Sequence, residues 1–368
     1  MRTLNPVNPD EGTPNPDPAV PVYATLDALG IPYEKFAHPP VFNAEDVAAH
    51  WSRGSVTSLI QRSAAAVVLV VVVLVGVIVF GSKFASTANF ANLAVSSSFL
   101  AIVAVGMTFV IISGGIDLSV GSMYALAAVL AAYGSQWGSF VGIALPLVVC
   151  GGLGLVQGTL IGRLGMPPFI ITLAGLLFAR GLAFKVSDNG NKTYLIEENR
   201  WMKVLGQGRW FGVGIPVVIA LAVFAAGAVL LNRTRFGQSV FAIGGSEEAA
   251  NLMGLRVARV KMMLYALTGA LSGLAGMLVA SRSSSGLSTI GIGFELEAIA
   301  AVVIGGTLLS GGAGGLTGTM IGVLLLGVIQ NLINQVGTLR SFHQQVVSGL
   351  FLVVVVTAQT IVGRREQS

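Results

Sequence analysis

Polar residues whose types and spacing could support chemistry lie within two glycine motifs of this chain. The first, Gly114-Gly115-Ile116-Asp117-Leu118-Ser119, interrupts a long apolar run with a glycine pair and a single carboxylate. A carboxylate in apolar surroundings is costly unless it finds partners, and glycines permit irregular backbone and close packing. Within a membrane, irregular backbone is tolerated only inside protein or beside a water-filled cavity. The motif is therefore either a gating or path-lining element, with candidates Gly114, Gly115, Asp117 and Ser119, or a tight turn in which Asp117 caps the next helix.

The second motif lies in the other half of the chain, at Gly305-Gly306-Thr307-Leu308-Leu309-Ser310. In both motifs a glycine pair is followed by two residues, Leu-Ser, one further residue and a glycine, with apolar runs on each side. Internal duplication around interrupted helices is typical of transporters whose two halves frame a path. The alternative is a chance match in a chain with 48 glycines. Duplication would add Gly305 and Gly306 to the path or gating candidates.

The elements that position these motifs are predicted to be membrane helices. Hydrophobic residues make up 54% of the 368 residues and charged residues only 10%, well below the roughly 25% of soluble domains. Several apolar runs approach the length that crosses a bilayer. The single cysteine, Cys150, lies in one of these runs, so a buried apolar role is expected. The composition predicts an all-α polytopic membrane protein.

We expect ten transmembrane helices in two related halves. Ten Lys and Arg residues flank one face, whereas the short loops of the other hold Lys83, Arg282 and Arg340. Because basic residues favour the cytoplasmic side, both termini are expected in the cytoplasm and the protein in the cell (inner) membrane. The predicted spans are approximately 64–80, 93–113, 119–133, 140–161, 166–186, 215–231, 262–281, 294–309, 316–336 and 346–362.

The segment 1–55 differs from the rest of the chain, 56–368, which is predicted to form a transmembrane domain. Nine of the thirteen prolines fall between Pro6 and Pro40, which favours an extended, solvated cytoplasmic tail. The stretch from Tyr23 to Glu34, followed by His38-Pro39-Pro40, resembles the opening of a prolyl-tRNA editing domain. The resemblance covers only this short stretch, so we interpret the tail as a truncated or fused fragment, or a wrongly chosen start codon, with no activity of its own.

The cytoplasmic loop between the sixth and seventh predicted spans holds a short helix signal. Gly244-Gly245 predicts a turn, Ser246 an N-cap, and Glu247-Glu248 a favourable first turn. The helix then continues through Ala249 and Ala250, and Gly254 ends it. Such a helix is either a projecting contact surface or a solvated connector.

Three stretches together resemble the ribose/xylose/galactose-type permeases of bacterial ATP-binding-cassette (ABC) importers: Ser113 to Ser122, Gly244 to Gly254, and Phe294 to Thr307. The likeness spans about 64–363. Within this family the chain most resembles the galactofuranose-importer permeases, a likeness carried by Phe169 to Gly175, Arg233 to Gly237 and Gly305 to Gly312. It implies a second permease subunit (identical or a paralogue), cytoplasmic ATPases and a periplasmic or lipid-anchored sugar-binding protein. The Gly244–Gly254 loop would then be the coupling helix, with Glu247, Ala249 and Ala250 at matching positions.

The resemblance gives the remaining polar residues a predicted role. A sugar is a neutral polyol, which hydroxyl and amide groups can bind, so Asn331 and Asn334 are path candidates, unless they serve as polar contacts between helices. Glu297 matches the family pattern and is also a path candidate. Glu295 is either functional or an interface carboxylate, and Arg180 either pairs with an acid or extends to the surface.

No catalytic machinery is predicted in this chain. Leu309-Ser310-Gly311-Gly312 resembles an ABC ATPase signature, but it lies between apolar spans and no G-x-x-x-x-G-K-[ST] loop occurs. We therefore expect no enzyme, bound cofactor, metal site or nucleic-acid partner, and ATP to be used by a partner subunit. The alternative function is a self-contained channel or ion-coupled carrier, which lacks a second ionisable partner for a proton relay.

Overall fold

The structure is a computed structural model that describes residues 65–196 and 200–336, together with Val346 and Gly349. The predicted tail, 1–55, lies outside these residues, as does nearly all of the predicted tenth span, 346–362. The described part is mostly helical. Its helices are α1 (Ala65–Lys83), α2 (Thr87–Ile112), α3 (Val120–Gly134), α4 (Ser139–Leu164), α5 (Pro168–Val186), α6 (Arg200–Gln207), α7 (Ile215–Arg233), α8 (Arg235–Gly245), α9 (Glu247–Leu252), α10 (Val257–Ser283), α11 (Phe294–Ile304) and α12 (Leu316–Val336).

Seven of these helices are long and apolar enough to cross a membrane: α1, α2, α4, α5, α7, α10 and α12. Two predicted spans are too short to cross a bilayer: α3, which has its predicted length, and α11, which is shorter than predicted. At about 1.5 Å per residue, α3 is about 22 Å long and α11 about 16 Å, against a hydrocarbon core of about 30 Å. The eighth span was predicted to continue to residue 309, but the glycine pair at Gly305 ends α11 first. The described residues thus show seven helices long and apolar enough to cross a membrane and two shorter apolar helices.

Helix α2 forms the centre of the bundle. Its last two-thirds is an unbroken run of buried residues that packs against α10, α7, α12 and α11. A helix that is apolar on every side is stable only when it is surrounded. By contrast, α1 is almost entirely exposed, as its valine-rich surface would be against lipid. Helix α2 is therefore the scaffold on which the first glycine motif is presented.

Glycines allow α10 to approach its neighbours closely. The α carbon of Gly269 faces the carbonyl of Cys150, Gly273 faces that of Pro146, and Gly276 faces that of Tyr124. An added Cβ at any of the three would overlap backbone. Gly269 and Gly273 thus form a small-x-x-x-small face of the kind that brings membrane helices into close contact. Cys150 is fully buried at this contact, as expected for an apolar role.

Short strands occur at the end of the bundle opposite α8 and α9. Strand β1 (Tyr194–Leu195) pairs antiparallel with β4 (Ser285–Gly286), and β2 (Arg209–Trp210) pairs with β3 (Val213–Gly214). Helix α6 lies between them in sequence. The stretch 187–210, between two predicted spans, is therefore partly folded, and the β1–β4 pair connects it to the end of α10.

Candidate functional site

The first glycine motif ends α2 and turns the chain into α3. The Gly115 N–H donates to the Val110 carbonyl and the Gly114 N–H to the Ile111 carbonyl, the pattern of a Schellman cap. Gly114 has φ +79°, a conformation that glycine adopts without a Cβ penalty. The predicted break in the helix is confirmed, and its position at Gly114 follows from this cap.

Asp117 is completely buried within this turn. Its Oδ1 accepts hydrogen bonds from the Ser119 backbone N–H, at 2.9 Å, and from the Ser119 hydroxyl, at 2.6 Å. Its Oδ2 has no hydrogen-bond partner among the described residues. The alternative prediction that Asp117 caps α3 is wrong. The N-cap of α3 is Ser119, whose side chain makes no capping hydrogen bond. Asp117 instead closes the turn two residues earlier.

Residues from α4 and α5 complete a buried polar cluster around Asp117. The Ser119 hydroxyl lies 3.2 Å from Gln157 Oε1 as well as near Asp117, but a hydroxyl has one proton and cannot donate to both. Exchanging the oxygen and nitrogen of the Gln157 amide would let its NH₂ donate to Ser119 instead. Thr172 approaches the Ile116 carbonyl at 3.4 Å. Gln157 could not be predicted from the sequence, since a single glutamine in an apolar helix gives no spacing signal.

The second glycine motif ends α11 with the same cap. The Thr307 N–H donates to the Val302 carbonyl and the Gly306 N–H to the Val303 carbonyl, and Gly306 has φ +86°. The structural counterpart of Gly114 is thus Gly306, whereas the sequence comparison paired Gly114 with Gly305. Gly305 packs closely against the backbone of Gly318 in α12. The chain then reaches α12 through Gly311 and its neighbours, without any acid.

The two motifs touch each other, and both touch the end of α8. The Gly312 N–H donates to the Ile112 carbonyl at 2.9 Å. A Cβ added to Gly311 would lie 2.9 Å from the Gly114 nitrogen and 3.0 Å from the Gly244 carbonyl oxygen. A Cβ added to Gly244 would overlap the Ile112 carbonyl. We call these contacts of Ile112, Gly114, Gly311, Gly312 and Gly244 the glycine junction; the sequence did not predict it, because nothing in the spacing links three distant loops.

Helix α9 follows the junction directly. Ser246 caps it by accepting from the Ala249 N–H, and Gly254, with φ +80°, follows its end, so both predictions are confirmed. The predicted turn at Gly244-Gly245 is wrong. The helix that Thr234 caps, α8, continues through both glycines and ends with them. The Lys261 ammonium contacts both Glu247 carboxylate oxygens at 2.6 Å, which ties α9 to α10.

The surface of α9 is largely solvent-exposed. Glu248, Ala249 and Asn251 face outward, while Ala250 is buried against the bundle. Two large apolar side chains are among the most exposed of the described residues: Leu252 is 85% exposed and Met253 69%. This short helix therefore carries an apolar tip beyond the end of the bundle.

The remaining candidates lie away from the junction. The Asn331 amide is paired reciprocally with Asn89 of α2, at 2.9 and 3.1 Å, and Gln335 donates to it at 3.1 Å. These bonds join α2 to α12, and the path role of Asn331 and Asn334 stays a prediction. Glu297 on α11 faces Gln330 of α12. Among the described residues, no group of three His, Cys, Asp or Glu side chains could hold a metal ion.

Comparison with known proteins assigns the chain to a family. Residues 89–356 match the family described as branched-chain amino acid transport system / permease component. The chain belongs to this permease family. The permease is 42% identical over 295 residues to the inner membrane ABC transporter permease protein YjfF of Escherichia coli, covering 77% of this chain and 88% of that protein.

Two further relatives carry the names of sugars. The permease is 40% identical over 280 residues to the ribose import permease protein RbsC of Bacillus subtilis, covering 76% of this chain and 86% of the relative. It is 38% identical over 294 residues to the L-arabinose transport system permease protein AraH of E. coli, covering 78% and 88%. No solved structure matches the permease significantly.

Proposed function

We propose that this permease is the membrane-spanning subunit of an ABC importer that carries a monosaccharide into the cytoplasm. The observation that carries the proposal is its similarity, over about three-quarters of its length, to permeases named for ribose and L-arabinose. A neutral polyol needs a path with hydroxyl and amide groups rather than strong charge. The buried cluster of Ser119, Gln157 and Thr172 has this chemistry.

The partners follow from what an importer of this kind needs. The sequence holds no phosphate-binding loop, so ATP hydrolysis belongs to a separate cytoplasmic ATPase. A second permease subunit, identical or paralogous, and a periplasmic or lipid-anchored sugar-binding protein complete the assembly. With both termini in the cytoplasm of a multi-pass inner-membrane protein, α8 and α9 lie on the ATPase side, as their basic neighbours Arg233, Arg235 and Arg256 favour.

Helix α9 is the proposed coupling helix. Exposed Leu252 and Met253 at its tip would be an unfavourable surface in water, and an apolar groove on a partner protein would bury them. The ion pair between Glu247 and Lys261 makes α9 move together with the start of α10. At its other end, α9 continues from Gly244 and the glycine junction. Force applied to α9 would therefore reach both glycine motifs through direct backbone contact.

The transport proposal is tested by reconstitution. The permease is placed in vesicles with its candidate second subunit, ATPase and binding protein, and uptake of labelled ribose, arabinose and galactofuranose is measured. We expect uptake of one of these sugars that requires ATP and stops with a hydrolysis-deficient ATPase. Uptake that survives this replacement, or that the permease supports alone under an ion gradient, would instead favour a channel or ion-coupled carrier.

The coupling proposal has its own test. Leu252→Asp combined with Met253→Asp should abolish ATP-dependent uptake and weaken binding of the ATPase to the permease, because both charges would have to enter an apolar groove. Asn251→Asp is the matched control, since it adds a charge to an exposed position of the same helix. Equal effects of the double variant and the control would exclude α9 as the contact.

A further inference from the structure

The segment between α10 and α11 follows an irregular course beside α3. At its start Gly286 packs against the Ala128 carbonyl and the Ala132 side chain, and near its end Gly291 packs against the Gly121 carbonyl. Along α3, Gly121 and Ala128 are about 10 Å apart, at about 1.5 Å per residue. Because α3 is itself buried among α4, α5 and α10, residues 284–293 lie at membrane depth.

Arg180 supports this irregular backbone from α5. One guanidinium nitrogen, Nη1, donates to the Ser288 carbonyl at 2.9 Å and to the Ile290 carbonyl at 2.8 Å. The Glu295 carboxylate is close enough to interact electrostatically with the Arg180 guanidinium. The two do not form an ion pair, because among the residues that the structure describes only Lys261 and Glu247 have charged atoms within 4 Å of each other. A charged side chain inside a spanning helix is costly, and here it satisfies backbone carbonyls that no helix satisfies.

One side of this segment is exposed on the bundle. Leu287 is 40% and Ile292 65% exposed, and the Thr289 side chain is also exposed. Nearby, Glu295 Oε2 is buried without a hydrogen-bond partner among the described residues. Lipid chains cannot hydrogen-bond to irregular backbone or to a hydroxyl, so an exposed surface of this kind at membrane depth must face protein or a water-filled cavity.

We propose that residues 284–293 form one wall of the water-filled path along which the solute crosses the membrane, with Arg180 as the positioning residue. The exposed polar side chain of this wall is Thr289, whose hydroxyl can both donate to and accept from a polyol. The Ser288 and Ile290 carbonyls already accept from Arg180, and these bonds hold the backbone of the wall in place. The inference rests on the proposed function only for the statement that this solute is a sugar.

The single cysteine makes an accessibility test simple. Cys150 is fully buried, and Cys150→Ala leaves this chain without a cysteine, so labelling of the permease subunit within the assembled importer reports only the introduced one. Thr289→Cys is introduced there and treated with a small, charged thiol reagent that reacts only in water. Val148→Cys is the control, because Val148 lies in the middle of α4 and is 70% exposed on the outside of the bundle. We expect labelling about tenfold faster at position 289, since the reactive thiolate forms in water and not in lipid.

Modification should also have a functional consequence. We expect a bulky adduct on the Thr289→Cys variant to cause loss of uptake, and excess transported sugar to slow the labelling reaction. The same adduct chemistry on the Val148→Cys variant should leave uptake unchanged. Labelling at position 289 no faster than at position 148 would overturn the proposal. If position 289 labels rapidly but the unmodified importer takes up no monosaccharide, the sugar assignment fails while the water-filled wall stands.

Arg180 provides an independent check. Arg180→Met keeps an unbranched side chain but removes both hydrogen bonds to the segment. If Arg180 positions the wall, this substitution should change the labelling rate of the Thr289→Cys variant severalfold and leave the rate of the Val148→Cys variant unaltered. A general loss of fold would change both rates, and no change at position 289 would remove Arg180 from the proposal.

Discussion

The two glycine motifs begin in the same way and continue differently. Both end a helix with the same pair of backbone hydrogen bonds around a glycine at positive φ, Gly114 or Gly306. After the first cap, residues 113–119 lead into α3 through the buried Asp117 turn. After the second, the longer stretch 305–315 leads into α12 and contains Gly311, Gly312 and Gly314, all at positive φ.

This difference separates what a glycine pair specifies from what its neighbours specify. The pair ends a helix, because a residue without a Cβ adopts the left-handed conformation that the cap requires. The course of the chain beyond the cap depends on other groups. These are the Asp117 carboxylate in the first loop and the three glycines at positive φ, Gly311, Gly312 and Gly314, in the second. The two loops meet at Gly244, so substitutions there and within each loop can test the comparison.

The largest effect is expected at Gly244, which both loops share. Gly244→Ala places a Cβ against the Ile112 carbonyl, and backbone cannot yield as a flexible side chain can. We expect destabilisation of about 3 kcal/mol, at the upper end of overpacking costs, and loss of ATP-dependent uptake. Thermal unfolding in detergent and sugar uptake measure the two effects.

Gly245→Ala is the matched control for this substitution. The neighbouring glycine has nothing within 4 Å of an added Cβ and is exposed, so stability and uptake should remain near the parent values. A Gly244→Ala variant that behaves like Gly245→Ala would show that the junction does not link the loops.

The next effect distinguishes the caps from the contact. Gly311 and Gly114 both have positive φ, but only Gly311 has backbone atoms of another segment within 3.0 Å of an added Cβ. Alanine at either position must adopt the left-handed conformation, which costs about 1–2 kcal/mol, and at Gly311 it also overlaps backbone. We therefore expect a lower unfolding temperature for Gly311→Ala than for Gly114→Ala. The reverse order would mean that the first cap, and not the contact, limits stability.

The third effect concerns the carboxylate that only the first loop contains. Asp117→Ala removes the acceptor for the Ser119 N–H and hydroxyl, and leaving buried donors unpaired costs about 1–3 kcal/mol. Asp117→Asn keeps an acceptor oxygen, so it should retain more of the stability in the same unfolding measurement. If Asp117→Asn retains the stability yet loses uptake, the charge serves transport rather than the turn.

The smallest effect is expected between α2, which leads to the first loop, and α12, which follows the second. The Thr108 hydroxyl on α2 and the Thr319 hydroxyl on α12 lie 2.8 Å apart and are fully buried. Hydrogen bonds between membrane helices contribute about 0.6 kcal/mol on average. A double-mutant cycle with Thr108→Val and Thr319→Val should give a coupling of that order, and additive effects would show that the pair is not a bond.

The fold could be predicted in outline but not in its interruptions. Apolar runs and basic flanks indicated the long helices, and Ser246 and Gly254 indicated the ends of α9, because these signals act within a few residues. The early end of α11 was not predicted, since the residues that follow the glycine pair are still partly apolar. The one-residue shift between Gly305 and Gly306 was also missed, because both residues can provide the cap.

Sequence alone determined the membrane class, the helix-ending role of the glycine pairs and the likeness to sugar permeases, since all three depend on residue type and local spacing. Only the tertiary structure decided that Gly311, Gly114 and Gly244 meet, that Gln157 joins Asp117 through Ser119, and that Arg180 binds carbonyls rather than an acid. These contacts bring together residues that are distant in the chain, and their geometry depends on how the helices pack.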